Sequence, residues 1–170
     1  RFTRIYGEPR TEHRRKTWDA LRYLKRRDNL PWLCAGDFNE ILFQTEQRGG
    51  NPRNFNQMKD FRECLGDCGL ADLGFTRYPF TWDNKQDGGA NIQVRLDRAT
   101  WNDEFLHLFP ETAVEHVLTE ESDHVALLIK AAASLDAAGL KKKKFFRFEE
   151  AWIRHDDYEQ MIVRAWEQAK

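Results

Sequence analysis

The sequence predicts a mixed α/β (α+β) layered sandwich, with sheet packed on sheet and helices outside. Strand-like and helix-like segments alternate through the first part of the chain, and the later part is rich in short strands bounded by turn residues. The third observation is bulk: hydrophobic residues make up 41% of the 170, with twelve Phe and six Trp. That supplies one core, in a chain too short for two ordinary domains.

Each element has its own signal. Phe2 to Tyr6 alternates as a strand does and stops at Gly7-Glu8-Pro9, a turn signal. Thr11 opens a charged helix running to about Arg27, with Trp18, Leu21 and Leu24 as its buried stripe. Pro31 to Gly36 reads as a buried strand that delivers Asp37-Phe38-Asn39 at its C-terminal end, where α/β sheets bind ligands. Asn54 caps a helix from Phe55 to Cys68, with Phe55, Met58, Phe61 and Leu65 on one face and Gly69 ending it. Leu70 to Leu73 is a short strand. Phe80-Thr81-Trp82 and Gln93 to Arg98 flank the polar tip Asp87-Gly88-Gly89 as a hairpin. Asn102 to Leu108 is a short helix ended by Pro110, and Ala113 to Leu118 and Val125 to Ile129 are two more strands. The composition shifts after Lys130. This divides the chain into a domain at 1–130, a linker at 131–144 and a helical tail at 145–170.

Net charge is -1, so overall charge announces no nucleic-acid partner. Its distribution is less even. From Arg1 to Arg27 ten Lys and Arg face three acids, a surplus of seven, and Lys141 to Lys144 is a second basic run. Such patches attract phosphates, and equally describe a solvated helix face with a basic linker. Cys34, Cys64 and Cys68 have neither disulfide nor zinc spacing and read as reduced core thiols, as in an intracellular protein. No run of about 18 apolar residues predicts a membrane span, and an initial Arg is what a fragment or processed chain shows.

Four segments place polar residues at predicted strand ends: Asp37 and Asn39, Thr81 and Trp82, Asp97, and Asp123 with His124. Singly, each has an ordinary structural reading. A GDxN tetrapeptide is often an Asx turn, and Asp97 has Arg95 and Arg98 beside it for pairing. Together they offer three carboxylates, an amide and an imidazole, the groups that phosphodiester hydrolysis needs. Carboxylates hold Mg²⁺, a carboxylate or imidazole directs the attacking water, and an amide or charged His donates to phosphoryl oxygens.

In this order, GDFN, an FTW-type strand, RLDR and SDH resemble the endonuclease/exonuclease/phosphatase superfamily, the DNase I-like proteins. Ile5 to Pro9, Gly36 to Leu42 and Arg95 to Ala99 are most similar to the endonucleases of LINE-type non-LTR retrotransposons of plants. The segment Phe145 to Trp152 is similar to the stretch that lies after those domains, ahead of the reverse transcriptase. The resemblance implies the C-terminal half of the DNase I-like four-layer fold, followed by a helical tail. It implies Tyr6 contacting phosphate, Asp37 orienting the water, Asn39 contacting the scissile phosphate and Asp97 paired with His124, which faces the phosphate. It also implies Asp123 as a metal-site carboxylate for Mg²⁺ (or Mn²⁺). Thr81 and Trp82 correspond to a strand near the DNA-facing surface, as substrate-binding residues or, more simply, as packing. DNA is the implied partner, with an N-terminal half-domain missing here, a reverse transcriptase downstream in the parent polyprotein, and a nuclear, intracellular setting. Without the first half, which supplies a metal-binding Glu, activity is expected to be impaired and the remaining sheet to expose an apolar face. Two other readings keep the motifs: a non-catalytic transposon remnant that binds nucleic acid, and a phosphatase acting on small phosphate esters.

Overall fold

In chain order the elements are β1 (Phe2–Tyr6), α1 (Arg15–Arg27), β2 (Leu33–Asp37), β3 (Gln47–Arg48), α2 (Phe55–Cys68), β4 (Ala71–Asp72), β5 (Thr76–Arg77), β6 (Trp82–Asp83), β7 (Gln93–Val94), β8 (Asp97–Trp101), α3 (Asp103–Leu108), β9 (Ala113–Val117) and β10 (Ala126–Lys130). The computed structural model describes residues 1–72, 74–119 and 122–132, all within one unit, Arg1–Ala137. The expected 145–170 helix, and the 131–144 linker beyond its first two residues, lie outside the described residues.

Among the described residues the strands form three sheets, ordered β1-β2-β8-β4, β10-β9-β5 and β3-β7-β6. β1 and β2 are parallel and therefore need a crossover, which α1 supplies. β8 returns antiparallel to β2. Alternation along these strands sets the layers. Cys34 and Ile5 face the helices, in a core with Trp18, Leu21, Phe61, Cys64, Leu65 and Cys68. The Trp18 and Phe61 rings stack at 4.6 Å where α1 meets α2. Leu33, Ala35, Ala99 and Trp101 face the other way, onto Phe105 and Val114, with Leu127 and Ile129 packed at the margin. The order is helices, four-stranded sheet, then the β10-β9-β5 sheet. This is the mixed α/β layered fold that the sequence predicts.

The helix termini are written locally. Asn54 Oδ1 accepts from Asn56 N at 2.8 Å, and Gly69 takes φ 62° to end α2. Asn102 caps α3 through Phe105 N at 3.0 Å. The first helix begins later than expected, because Thr11–His13 forms a separate 3₁₀ turn. Phe55 departs from its expected face. It is 65% exposed at the first position of α2, ahead of the buried stripe, with the Arg62 guanidinium 5.7 Å from its ring.

One larger correction concerns Gln93 to Arg98, expected as a single hairpin strand. β7 does pair with β6, but the chain then leaves that sheet, and Asp97 begins β8 in another. The crossing is held by charge. Arg95 and Arg98, 5% and 0% exposed, both bind Glu46 and Asp72 at 2.8–3.0 Å. Burial raises the carboxyl pKa values of Glu46 and Asp72, and the arginine hydrogen bonds and charges outweigh it, so both lie below their ordinary values.

β1 ends its sheet among the described residues. Phe2 and Tyr6 are 63% and 77% exposed. They share the face of Leu33, Ala35 and Asp37 through the β1–β2 register, but the second sheet covers β2 and β8 rather than β1. An apolar face is thus bare at this edge, and Val117 and Leu128, 37% and 42% exposed, lie on the outer face of the β10-β9-β5 sheet.

Candidate active site

The sheet register assembles the site. Tyr6 pairs with Asp37, and Asp37 pairs with Asp97, so three residues distant in sequence form one row across β1, β2 and β8. All three side chains point to the side of the β10-β9-β5 sheet. Gly36 makes the close approach possible. It has φ 137°, and a Cβ there would collide with the Ile5 carbonyl.

His124 reaches this row from the segment before β10. Its Nδ1 lies 2.8 Å from Asp97 Oδ2, so Nδ1–H donates to the carboxylate and Nε2 is the nitrogen left for other partners. The imidazole segment is held on several sides. Ser122 Oγ accepts from His124 N at 3.0 Å, Thr119 Oγ1 donates to His124 O at 2.7 Å, and Trp82 forms an antiparallel bridge with His124. The Asp97 hydrogen bond raises the His124 pKa above 6.5; burial opposes it and loses.

Asp37 is 9% exposed. Burial pushes its pKa up, the nearby Asp97 adds to this, and Asn39 and His124 only partly offset it. A carboxylate with raised proton affinity beside an imidazole with raised pKa is the pairing of base and acid that hydrolysis uses.

Asn39 takes φ 55° in an Asx turn. Its backbone N–H donates to Asp37 Oδ1 at 2.7 Å, and its Nδ2 donates to Asp37 Oδ2 and to Gly7 O, both at 2.9 Å. Both amide protons are thereby engaged, so Asn39 orients Asp37 here and offers no spare N–H to a phosphate. Asp123 is exposed, and its Oδ2 accepts from Trp82 Nε1 at 2.9 Å.

The two expected substrate contacts diverge. Thr81 is 0% exposed, with Oγ1 accepting from Leu96 N and Asp97 N at 2.9 and 2.8 Å. It cannot touch a substrate, and its expected role as a binding residue is corrected to one inside the fold. Trp82 is half-buried, packed beside Ile41, Met58, Val94 and Leu96. It also borders a cavity of about 220 Å³ with Tyr78, Phe80, Leu118, Asp123 and His124.

Some supporting residues have no signal in the sequence. Arg14, expected on a solvated basic helix, is 5% exposed and pairs with the fully buried Glu40. Its Nε and Nη2 donate to Glu8 O and Pro9 O, at 3.3 and 3.0 Å. The loop after Tyr6 is thus tied to the loop after Asp37. Thr119 is equally silent in sequence, whereas Ser122 sits in the SDH tripeptide.

The donor set does not make a metal cage. Among the described residues no three His, Cys, Asp or Glu side chains converge to hold an ion. Each Asp37 oxygen accepts one hydrogen bond from Asn39, Asp97 Oδ2 one involving His124 and Asp123 Oδ2 one from Trp82, and each carboxylate keeps further lone pairs. Mg²⁺ keeps several waters and is held by one or two carboxylates rather than by a protein cage, so Asp97 and Asp123 are the residues that would hold it, with water and phosphate oxygens as the remaining donors.

With this geometry established, the fold is similar to that of a solved endonuclease domain. The solved endonuclease domain of TRAS1, a telomere-specific non-LTR retrotransposon, matches with a TM-score of 0.58 at 20% identity, over 75% of this chain and 55% of that one. The chain thus spans about half the length of that structure, and at this identity the likeness shows the fold. No family model and no curated protein matches the sequence.

Proposed function

We propose that this chain belongs to a phosphodiester-cleaving endonuclease domain of non-LTR retrotransposon type, acting on DNA. The observation that carries the reading is the Tyr6–Asp37–Asp97 row closed by the Asp97–His124 hydrogen bond. Asp37, held by Asn39, takes a proton from water as the water oxygen attacks phosphorus. The bond from phosphorus to the leaving oxygen breaks, and the leaving alkoxide takes a proton from solvent. His124, with Asp97 behind it, offers its Nε2 proton to a phosphoryl oxygen as charge develops there. Exposed Tyr6 stands at the end of the row, placed for a phosphate oxygen.

The same reading makes the site incomplete in this chain alone. The bare edge of β1 favours a further segment of the domain that supplies strands beside it, and the resemblance of the motifs adds a carboxylate from that segment. We place the LINE-type parentage, the reverse transcriptase downstream and the nuclear setting with this proposal, on the resemblance of the motifs and of Phe145 to Trp152. Plasmid nicking tests it, with Mg²⁺ and with EDTA, for the chain alone and joined to an N-terminal half. Nicking by the joined domain that Asp37→Ala and His124→Ala abolish supports the reading; nicking indifferent to both variants sinks it.

A binding-only reading rests on a different observation, the exposed Arg15, Lys16, Arg26 and Arg27 of α1. DNA binding that weakens steeply with salt, without cleavage by the joined domain, is its signature.

A further inference from the structure

Thr81 is fully enclosed, although its neighbour Trp82 is only half-buried. A buried hydroxyl must find hydrogen-bond partners, and the identity of those partners states its role. Oγ1 accepts from the main-chain N–H groups of both Leu96 and Asp97, at 2.9 and 2.8 Å. The Thr81 carbonyl accepts from Val125 N at 2.9 Å, one residue past His124, and Thr81 N donates to Val94 O at 2.9 Å. The β6–β7 ladder ends at Val94 and the β8–β2 ladder begins at Asp97. At that crossing, the Thr81 hydroxyl takes the place of a ladder partner.

We infer that Thr81 is a positioning residue: its hydroxyl sets Asp97 at the head of β8 while its carbonyl sets the strand that carries His124, so that carboxylate and imidazole meet in one geometry. The inference deepens the proposed function and rests on the reading of Asp97 and His124 as its working pair. The bond between those two side chains spans separate sheets, so its length depends on both backbones at once. Thr81 grips both. Serine keeps the hydroxyl; valine keeps the shape and leaves two buried N–H groups unpaired. The ion pairs of Arg95 and Arg98 with Glu46 and Asp72 anchor the crossing independently. Loss of the hydroxyl therefore displaces Asp97 locally and does not release the segment.

The test uses the full chain, in a proton–nitrogen magnetic resonance spectrum at one pH and temperature. The readouts are the slowly exchanging Nδ1–H signal of His124, which exists while it is bonded to Asp97, and exchange protection at the Leu96 and Asp97 amides. Asp97→Asn marks the loss of the first. Thr81→Val should lose the Nδ1–H signal and about tenfold of the amide protection, with the remaining spectrum still dispersed. Thr81→Ser should keep both. Should Thr81→Val not fold, Thr81→Ala is read in the same way. The inference is overturned if the hydroxyl-free variant keeps the Nδ1–H signal, or if Thr81→Ser loses it equally. Its absence from the unsubstituted chain would overturn the inference together with the geometry beneath it. A joined domain that fails to nick DNA while the signal behaves as expected removes the proposed function and leaves the positioning role standing.

Discussion

His124 Nδ1 lies 2.8 Å from Asp97 Oδ2, and this contact joins the head of β8 in one sheet to the segment entering β10 in another. The hydrogen bond lifts the His124 pKa above 6.5. A histidine raised in the folded state adds stability that is fully present below its unfolded pKa and lost as pH rises through its folded pKa. Asp97→Asn should therefore lower the His124 pKa, read by resonance titration. It should also cost about 1 kcal/mol in urea below pH ~6, a gap that narrows on the alkaline side. An unchanged His124 pKa in that variant would refute the pairing.

Arg98 is the fully buried member of a four-charge network. Replacing it with Met keeps the stem and leaves Glu46 and Asp72 facing Arg95 alone, at an expected cost of roughly 3–5 kcal/mol in urea unfolding at neutral pH. Both carboxyl groups have folded pKa values below 4.5 and 3.8. Their contribution is thus present above those unfolded values and lost as pH falls through the folded ones. The deficit of Arg98→Met should shrink in acid. A deficit that stays constant from neutral to strongly acid pH would argue against the network as its source.

Gly36→Ala places a methyl against the Ile5 carbonyl at a positive φ. The expected loss is about 3 kcal/mol or more, with β1 displaced from β2 beside Asp37. Thermal melting checks it, and a midpoint unchanged from that of the parent chain would contradict the close approach.

Because no three His, Cys, Asp or Glu side chains converge among the described residues, Mg²⁺ binding by the chain alone is expected to be weak, with no saturable shift of the Asp37 and Asp123 amide resonances at millimolar concentration. Saturation in that range would show a working metal site without further residues.

Local signals were the most legible. The alternation of Phe2–Tyr6, the stripe of Trp18 and Leu21, the Asn54 and Asn102 caps and the Gly69 stop are each a property of a few neighbouring residues, and each stands where expected. The short pairings Gln47–Arg48 and Thr76–Arg77 were not legible, since two-residue strands have no period to read and exist only through their partners. Arg14 was misplaced on a solvated helix face for a related reason: a charged residue reads as solvent-facing until its counter-charge, distant in sequence, is seen; Arg95 and Arg98, offered as partners of Asp97, pair instead with Glu46 and Asp72.

By itself, the sequence determined the α/β layering and which residues were candidates for chemistry, because periodicity, caps and motif composition are local. Only the tertiary structure decided how they meet. Register set Tyr6, Asp37 and Asp97 in one row, a crossing between sheets buried Thr81 beneath Asp97, and the Asn39 amide turned inward onto Asp37. Strand pairing and hydrogen-bond satisfaction are long-range choices, and a side chain's partner is set by the packing of distant segments rather than by its neighbours in the chain.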